Sequence, residues 1–172
     1  MTFSISDPPK GIDRVMLNAC STQFSFVDST VLCESVSALK SQPVVTAQVT
    51  QSLEQVLEIM VANKSSCIAI VDDRGVVKGI FSERDFVHKV AKNFQEHRSS
   101  PIRDFMTPEP IVVTSDCTLA YAMTLMSQGG FRNLPVVDGD NRPIAMATIR
   151  DLIDFIVGRF MEKLLSFPSG GQ

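Results

Sequence analysis

The chain has 172 residues, a net charge of −3, and 44% hydrophobic and 20% charged residues, which is an ordinary balance for a globular protein. A chain of this length buries about two-thirds of its unfolded surface, so one domain or a tight pair is expected. Without a basic cluster or a long apolar run, neither nucleic-acid binding nor a membrane span is predicted. Prolines at positions 8 and 9 interrupt the region where a signal peptide has its apolar core, so a cytoplasmic location is expected.

The chemistry-bearing residues do not cluster. Cys20, Cys33, Cys67 and Cys117 are widely spaced and lack a nearby histidine pair, so reduced thiols and no bound metal are expected. The two histidines fall on and beyond a charged helical segment and are expected at the surface. No nucleophile–base pair or glycine-rich phosphate loop is evident, so an enzymatic function ranks last.

Residues 1–42 are predicted to form an N-terminal extension that contains one helix near residues 29–40. Asp28 or Ser29 can cap this helix, and Pro43 follows it. The helix is predicted because apolar residues recur at roughly helical spacing, namely Val31, Leu32, Val36 and Leu39.

After this extension the chain repeats itself: residues 45–90 align with residues 111–156 without a gap. In each copy a helix begins after a capping residue, Ser52 or Thr118, and two short apolar strands and a second helix follow. A unit of about 50 residues has too little core to be stable alone, so the two must pack together. The predicted boundaries are residues 43–95 for the first unit, 96–109 for a linker, 110–158 for the second unit, and 159–172 for a helix end and tail.

A polar segment joins the last strand to the last helix in both copies, FSERD at residues 81–85 and ATIRD at residues 147–151. The first N–H groups of a helix lack partners and carry partial positive charge, so this junction suits an anion or a sugar. The same spacing also fits a helix cap, which stabilises a helix by about 1 kcal/mol. Both interpretations stay open for each residue, but the duplication favours a pair of ligand sites.

Three segments, at residues 79–85, 104–108 and 129–137, together resemble a tandem pair of cystathionine-β-synthase (CBS) domains, also called a Bateman module. The resemblance covers roughly residues 43–158, and the whole chain is similar to small stand-alone bacterial CBS-pair proteins. It implies an α+β (mixed α/β) fold. Two β-α-β-β-α units would pack sheet to sheet about a pseudo-twofold axis, after an N-terminal helical extension, and would leave two clefts.

The resemblance also implies an adenosine nucleotide in the clefts, with the ribose hydroxyls bound by Asp85 and Asp151. A second set of polar residues would face the phosphate, namely Ser82, Thr148, Arg84, Arg150 and Arg132. The remaining predicted residues would line the ligand, namely Thr46, Cys67, Ile68, Ile80, Val112, Asn133, Leu134, Pro135 and Met146. The chemistry fits, because a carboxylate can accept two hydrogen bonds from a cis-diol, and hydroxyl and N–H groups suit phosphate.

The two copies are not equivalent, so unequal use of the two clefts is expected. The second copy has Arg132 where the first has Ser66, and the first has Gly79 where the second has Ala145. Gly79 is predicted to let the backbone approach a ligand. Many resembling proteins have histidine at the position of Asn133, and its absence weakens the case for a highly charged ligand such as ATP.

A regulatory module that binds AMP, ADP or ATP ranks first, with no cofactor required and with S-adenosylmethionine as an alternative ligand. A ligand-free module for dimerisation or protein interaction ranks second, and it would act through an unidentified regulated protein. A homodimer is predicted because the last helix carries an apolar series, namely Leu152, Ile153, Ile156, Phe160 and Leu164.

Overall fold

The computed structural model describes residues 29–41 and 43–165. Its strands are β1 Thr46–Gln48, β2 Cys67–Val71, β3 Val77–Ser82, β4 Thr107–Pro108, β5 Val113–Thr114, β6 Asn133–Val137 and β7 Pro143–Thr148. Its α-helices are α1 Ser29–Cys33, α2 Leu53–Ala62, α3 Glu83–Asp85, α4 Phe94–His97, α5 Leu119–Gly129 and α6 Ile149–Leu165. A π-helical turn forms at Phe86–Val90, and 3₁₀ turns form at Val36–Ala38, Ala91–Asn93 and Ile102–Asp104. Cys20, Asp28 and the predicted tail after residue 165 lie outside the described residues.

The strands form two sheets with matching topology. The first sheet has the strand order β1-β2-β3-β4 and the second has the order β5-β6-β7. β1 pairs with β2 in parallel and β2 with β3 antiparallel, and in the same way β5 pairs with β6 in parallel and β6 with β7 antiparallel. The registers also match, because Cys67 pairs with Ser82 in the first sheet and Asn133 pairs with Thr148 in the second. These findings confirm the predicted mixed α/β fold with two repeated units.

Local sequence explains where α2 and α5, the first helix of each repeated unit, begin. The Ser52 side chain accepts a hydrogen bond from the Gln55 N–H, and the Gln55 side chain accepts one from the Ser52 N–H, which completes a capping box. The Thr118 side chain accepts a bond from the N–H of Tyr121 in the same way. α5 ends at Gly129, and the capping residue Gly130 has a φ of +66°, the left-handed conformation that glycine adopts without a steric penalty.

Each unit has its own apolar core, and the sheets face each other across a third cluster. Ile68 and Ile70 of β2 pack into the core of the first unit, while Cys67 and Ala69 of the same strand pack against Met146 of β7. β2 is therefore buried on both faces, and this explains why its sequence is apolar without alternation. The contact between β2 and β7 joins the sheets of the two units at one interface.

The segment before each unit packs onto the other unit. Ile102, which precedes the second unit, is fully buried in the core of the first, whereas Val36 packs in the core of the second. The backbone contacts match as well, because Ser35 bridges to Thr118 and Pro101 bridges to Ser52. The repeat therefore extends further toward the N-terminus than residue 43, and the segment predicted as a linker supplies part of a core.

The helix predicted near residues 29–40 is not continuous. α1 ends at Cys33, and a 3₁₀ turn follows at Val36–Ala38. The N–H of Val36 donates to the carbonyl of Cys117, and the N–H of Leu119 donates to the carbonyl of Glu34. Pairing with the second unit thus replaces the hydrogen bonds that a continuous helix would make.

Gly79 brings two strands together and does not line a ligand groove. It lies on β3 opposite Pro108 of β4. A Cβ atom at this position would lie 2.4 Å from the sulfur of Met106 and 2.9 Å from the carbonyl oxygen of Thr107. Glycine is therefore needed because the linker backbone approaches closely, and the prediction that it serves a ligand is wrong.

The apolar series predicted for a dimer interface divides between two environments. Leu152 is fully buried in the core of the second unit, whereas Ile153 on the same helix is exposed. Val157 and Met161 are also exposed and follow Ile153 at intervals of four residues, so they lie on one outer face of α6. Homodimerisation stays a prediction, and its exposed residues would be these three.

Candidate functional site

A groove of ≈ 1450 Å³ lies between the two units, and both polar motifs open into it. Most predicted site residues line this groove, namely Thr46, Cys67, Ile80, Ser82, Arg84, Asp85, Arg132, Asn133, Met146, Thr148, Arg150 and Asp151. The lining is nearly symmetric, because most positions from the first unit recur at the equivalent position of the second. The fold therefore brings together motifs that lie far apart in the sequence.

Four predicted lining residues do not line the groove, namely Ile68, Val112, Leu134 and Pro135. Ile68 and Leu134 belong to the two helix-facing cores, because adjacent residues of a strand point to opposite faces. Pro135 is fully buried opposite Met146, and Val112 is half-buried just before β5. These four positions lie outside the groove lining, and their contact with a ligand stays a prediction.

In the first unit, Ser82 caps α3 and holds the carboxylate of Asp85. Oδ2 of Asp85 accepts hydrogen bonds from the Ser82 N–H at 3.0 Å and from the Ser82 hydroxyl at 2.6 Å. In return, the Asp85 N–H donates to Oγ of Ser82 at 3.2 Å. The capping interpretation of this motif is confirmed, with aspartate in the place of the usual Glu or Gln.

The other oxygen of Asp85 is also engaged. Oδ1 accepts a hydrogen bond from the Thr107 hydroxyl at 2.9 Å and forms an ion pair with Nζ of Lys89 at 2.8 Å. The Lys89 ammonium also donates to the Phe105 carbonyl at 3.0 Å and to the Thr107 hydroxyl oxygen at 3.1 Å. Because β4 carries Thr107 to the edge of β3, the linker completes the shell around this carboxylate.

In the second unit, Thr148 holds Asp151 in the same way. Oδ2 of Asp151 accepts bonds from the Thr148 N–H at 2.9 Å and from the Thr148 hydroxyl at 2.8 Å. Oδ1 of Asp151 has no hydrogen-bond or ion-pair partner among residues 29–41 and 43–165. This oxygen is therefore available for a ligand that lies in the groove.

The N-termini of α3 and α6 have fewer unpaired N–H groups than the sequence predicts. The N–H of Glu83 donates to the carbonyl of Ser66, and the N–H of Ile149 donates to the carbonyl of Arg132, both at 3.0 Å. The N–H groups of the two motif aspartates are bound by the capping hydroxyls. Binding of phosphate would thus depend on side-chain cations more than on free backbone N–H groups.

The three predicted phosphate-binding arginines differ in their contacts. Arg84 reaches across to the second unit, where Nη1 donates to the carbonyl of Gly130 at 3.1 Å. Arg150 is 88% exposed and lies 3.9 Å from Asp154. Arg132 is exposed and lines the groove, and its carbonyl accepts the first N–H of α6. The backbone thus places Arg132 beside the motif that carries Asp151.

Two groove residues that the sequence reasoning missed are Lys89 and Thr107. Lys89 follows Asp85 by four residues, and this spacing on a helix permits an ion pair, so a sequence signal was present. Thr107 carries no comparable local signal, because it meets Asp85 only through the pairing of β3 with β4.

Cys67 packs in the groove as an uncharged thiol. Burial and the neighbouring charge of Asp85 raise the pKa of Cys67 to about 12. The thiol therefore stays protonated near neutral pH and does not act as a nucleophile. Within the described part of the chain, no group of acidic, cysteine and histidine side chains could hold a metal ion, and no helix is long and apolar enough to cross a membrane.

Acidification is expected to remove the contribution of Asp85 to stability. Burial by itself raises the pKa of Asp85, but hydrogen bonds from Lys89, Ser82 and Thr107, with the charge of Lys89, outweigh burial and hold it below its ordinary value. The ionised carboxylate therefore stabilises the fold above the unfolded pKa of about 3.9, and this contribution is lost as the pH falls through the folded-state pKa.

The measurement is urea unfolding of the wild type and of Asp85→Asn at a series of pH values. The difference in free energy of unfolding should be largest near neutral pH and should shrink on acidification. A difference that stays constant or grows in acid would contradict the lowered pKa.

Comparison with known proteins gives consistent results. A family model described as the CBS domain matches residues 36–92 and 102–158. An uncharacterized protein of Methanopyrus kandleri is 27% identical over 136 residues, which cover 77% of this chain and 69% of that protein. A CBS-domain-containing protein from Agrobacterium tumefaciens has a similar structure, with a TM-score of 0.65, 28% identity, and coverage of 72% of this chain and 94% of that chain. The structure of CBSX2 in complex with AMP has a TM-score of 0.62, 25% identity, and coverage of 73% and 97%.

Proposed function

The chain belongs to the CBS domain family as a tandem pair, and from this premise we propose that it is a regulatory module that binds an adenosine-type nucleotide between its two units. The observation that carries the proposal is the carboxylate of Asp151. Asp151 lines the groove, its Oδ2 is held by Thr148, and its Oδ1 has no partner in the described part of the chain. A carboxylate oxygen has two lone pairs, so Oδ1 can accept both hydroxyl protons of a ribose cis-diol.

The surroundings of Asp151 suit the rest of a nucleotide. Arg132 supplies a cation for the phosphate, and Met146 supplies an apolar surface for the base; both line the groove. One phosphate needs fewer cations than three, and the charge of Arg150, whose side chain is 88% exposed, is partly offset by Asp154 at 3.9 Å. AMP is therefore the preferred probe, and the AMP complex of CBSX2 shows that a protein with this fold can bind it.

Isothermal titration calorimetry of the purified chain with AMP tests the proposal directly. We expect saturable binding of AMP and weaker binding of ATP, with GMP as the control for recognition of the base. ADP and S-adenosylmethionine complete the series and identify the preferred ligand. If none of these adenosine compounds binds at millimolar concentration, the proposed function is wrong.

A further inference from the structure

The two motif carboxylates differ in how much hydrogen-bonding capacity they have left. An ionised carboxylate has about four lone-pair positions, two on each oxygen. Asp85 accepts four contacts: the N–H and hydroxyl of Ser82 on Oδ2, and the Thr107 hydroxyl and Lys89 ammonium on Oδ1. Among the described residues Asp151 accepts two, both on Oδ2 and both from Thr148. Asp85 is therefore saturated within its own chain, whereas Oδ1 of Asp151 has no partner among residues 29–41 and 43–165.

The repeat explains why only one carboxylate is saturated. The position equivalent to Lys89 in the second unit is Phe155, whose side chain has no charge and no hydrogen-bond donor. The Phe155 ring packs against the core of the second unit, with the guanidinium of Arg159 5.1 Å from its centre. The ammonium that fills Oδ1 of Asp85 therefore has no counterpart at the equivalent position beside Asp151, and Oδ1 of Asp151 has no partner among residues 29–41 and 43–165.

The contacts of Lys89 keep its ammonium in place. Three acceptors surround Nζ within 3.1 Å: Oδ1 of Asp85, the carbonyl of Phe105 and the hydroxyl oxygen of Thr107. Phe105 and Thr107 lie in the linker, so Lys89 ties the end of the first unit to the segment that leads to the second. A ribose hydroxyl that bound Oδ1 would have to displace this ammonium from a carboxylate that is only 13% exposed. The contact between the ammonium and the carboxylate joins two opposite charges, whereas a hydroxyl brings no charge of its own, so a neutral hydroxyl is a poor competitor.

We propose that Lys89 and Thr107 close the Asp85 half of the groove to nucleosides, so that each chain binds one nucleotide, through Asp151. Lys89 is then a specificity-determining residue that acts as an internal competitor for the ribose. This inference rests on the proposed function, since it decides which of two similar motifs holds the ligand. It also assigns the first motif a structural role, because the contacts of Asp85 with Lys89 and Thr107 hold the linker against the first unit.

The test is the number of AMP molecules bound per chain in calorimetry. The wild type should bind one, and Lys89→Met/Thr107→Val, which keeps both side chains close to their original size, should bind two. Adding Asp151→Asn to this double variant should weaken one of the two sites by about tenfold to a hundredfold and leave the other, which depends on Asp85, unchanged. The matched control is Lys92→Met, which removes the same charge from an exposed position and should keep the wild-type value of one. Circular dichroism should confirm that every variant is folded, and Lys89→Gln serves if the methionine variant is not.

The outcomes separate the two proposals. Two AMP molecules on the wild type would show that Lys89 does not close the site, and one molecule on both the wild type and the folded double variant would show that the first half lacks a site for another reason. Either result overturns the role of Lys89 and leaves the proposed function standing. A loss of AMP binding on substitution of Lys89 alone would assign it to phosphate binding instead. No binding to any of these proteins would reject the proposed function and this inference with it.

Discussion

Replacing Ile102 with alanine is expected to lower the free energy of unfolding by about 2–5 kcal/mol, as for other large buried side chains. Ile102 is fully buried, although it lies in the segment that connects the two units. Its own N–H donates to the carbonyl of Gln51, and the N–H of Leu53 donates to the carbonyl of Ser100, so the backbone around it cannot easily move in to fill a cavity. The destabilisation should therefore lie well above that of an ordinary surface substitution.

Urea unfolding of Ile102→Ala and of Arg103→Ala provides the comparison. Arg103 is the next residue, its side chain is 60% exposed, and it makes an ion pair with Asp104 at 3.8 Å. Its replacement should change the free energy of unfolding by less than about 0.5 kcal/mol, as is usual for a surface position. Equal effects of the two substitutions would show that the linker does not take part in the core of the first unit.

Replacing Asp151 with asparagine is expected to weaken AMP binding by about tenfold to a hundredfold. The expected size follows because a hydrogen bond to a charged group contributes about 1.5–3 kcal/mol, and about 1.4 kcal/mol corresponds to tenfold in affinity. The asparagine side chain keeps the size of the aspartate and its carbonyl can still accept a bond from the Thr148 N–H, while the negative charge that would face a ribose diol is lost.

Two further variants decide whether the effect is specific. Asp154→Asn removes the same charge from an exposed side chain three residues further along α6, and AMP affinity should stay within about threefold of the wild type. Asp85→Asn should also leave AMP affinity within about threefold, because the carboxylate of Asp85 already has four partners in its own chain. If Asp85→Asn abolishes binding and Asp151→Asn does not, the assignment of the ligand to the second half of the groove is wrong.

The repeat has a practical consequence for experiments on this chain. Because Val36 packs in the core of the second unit and Ile102 packs in the core of the first, a division at the linker would leave each unit without part of its core. The groove also takes its lining from both units. The measurements above therefore use the whole chain.

The sequence by itself determined the features that depend on residues close together along the chain. The capping box at Ser52 and the caps at Ser82 and Thr148 each involve residues three positions apart, so their spacing is visible in the sequence. The repeat made the fold class predictable, because two copies of one pattern must pack together to bury a core.

Only the tertiary structure decided the features that depend on residues far apart. The linker residue Thr107 reaches Asp85 across 22 positions, and Arg84 reaches Gly130 across 46, through strand pairing and contact between the units. Gly79 was assigned to a ligand because nothing local indicates that β4 pairs against it. The two motifs look alike in sequence, but the carboxylate of Asp85 has partners on both oxygens, whereas Oδ1 of Asp151 has none among residues 29–41 and 43–165.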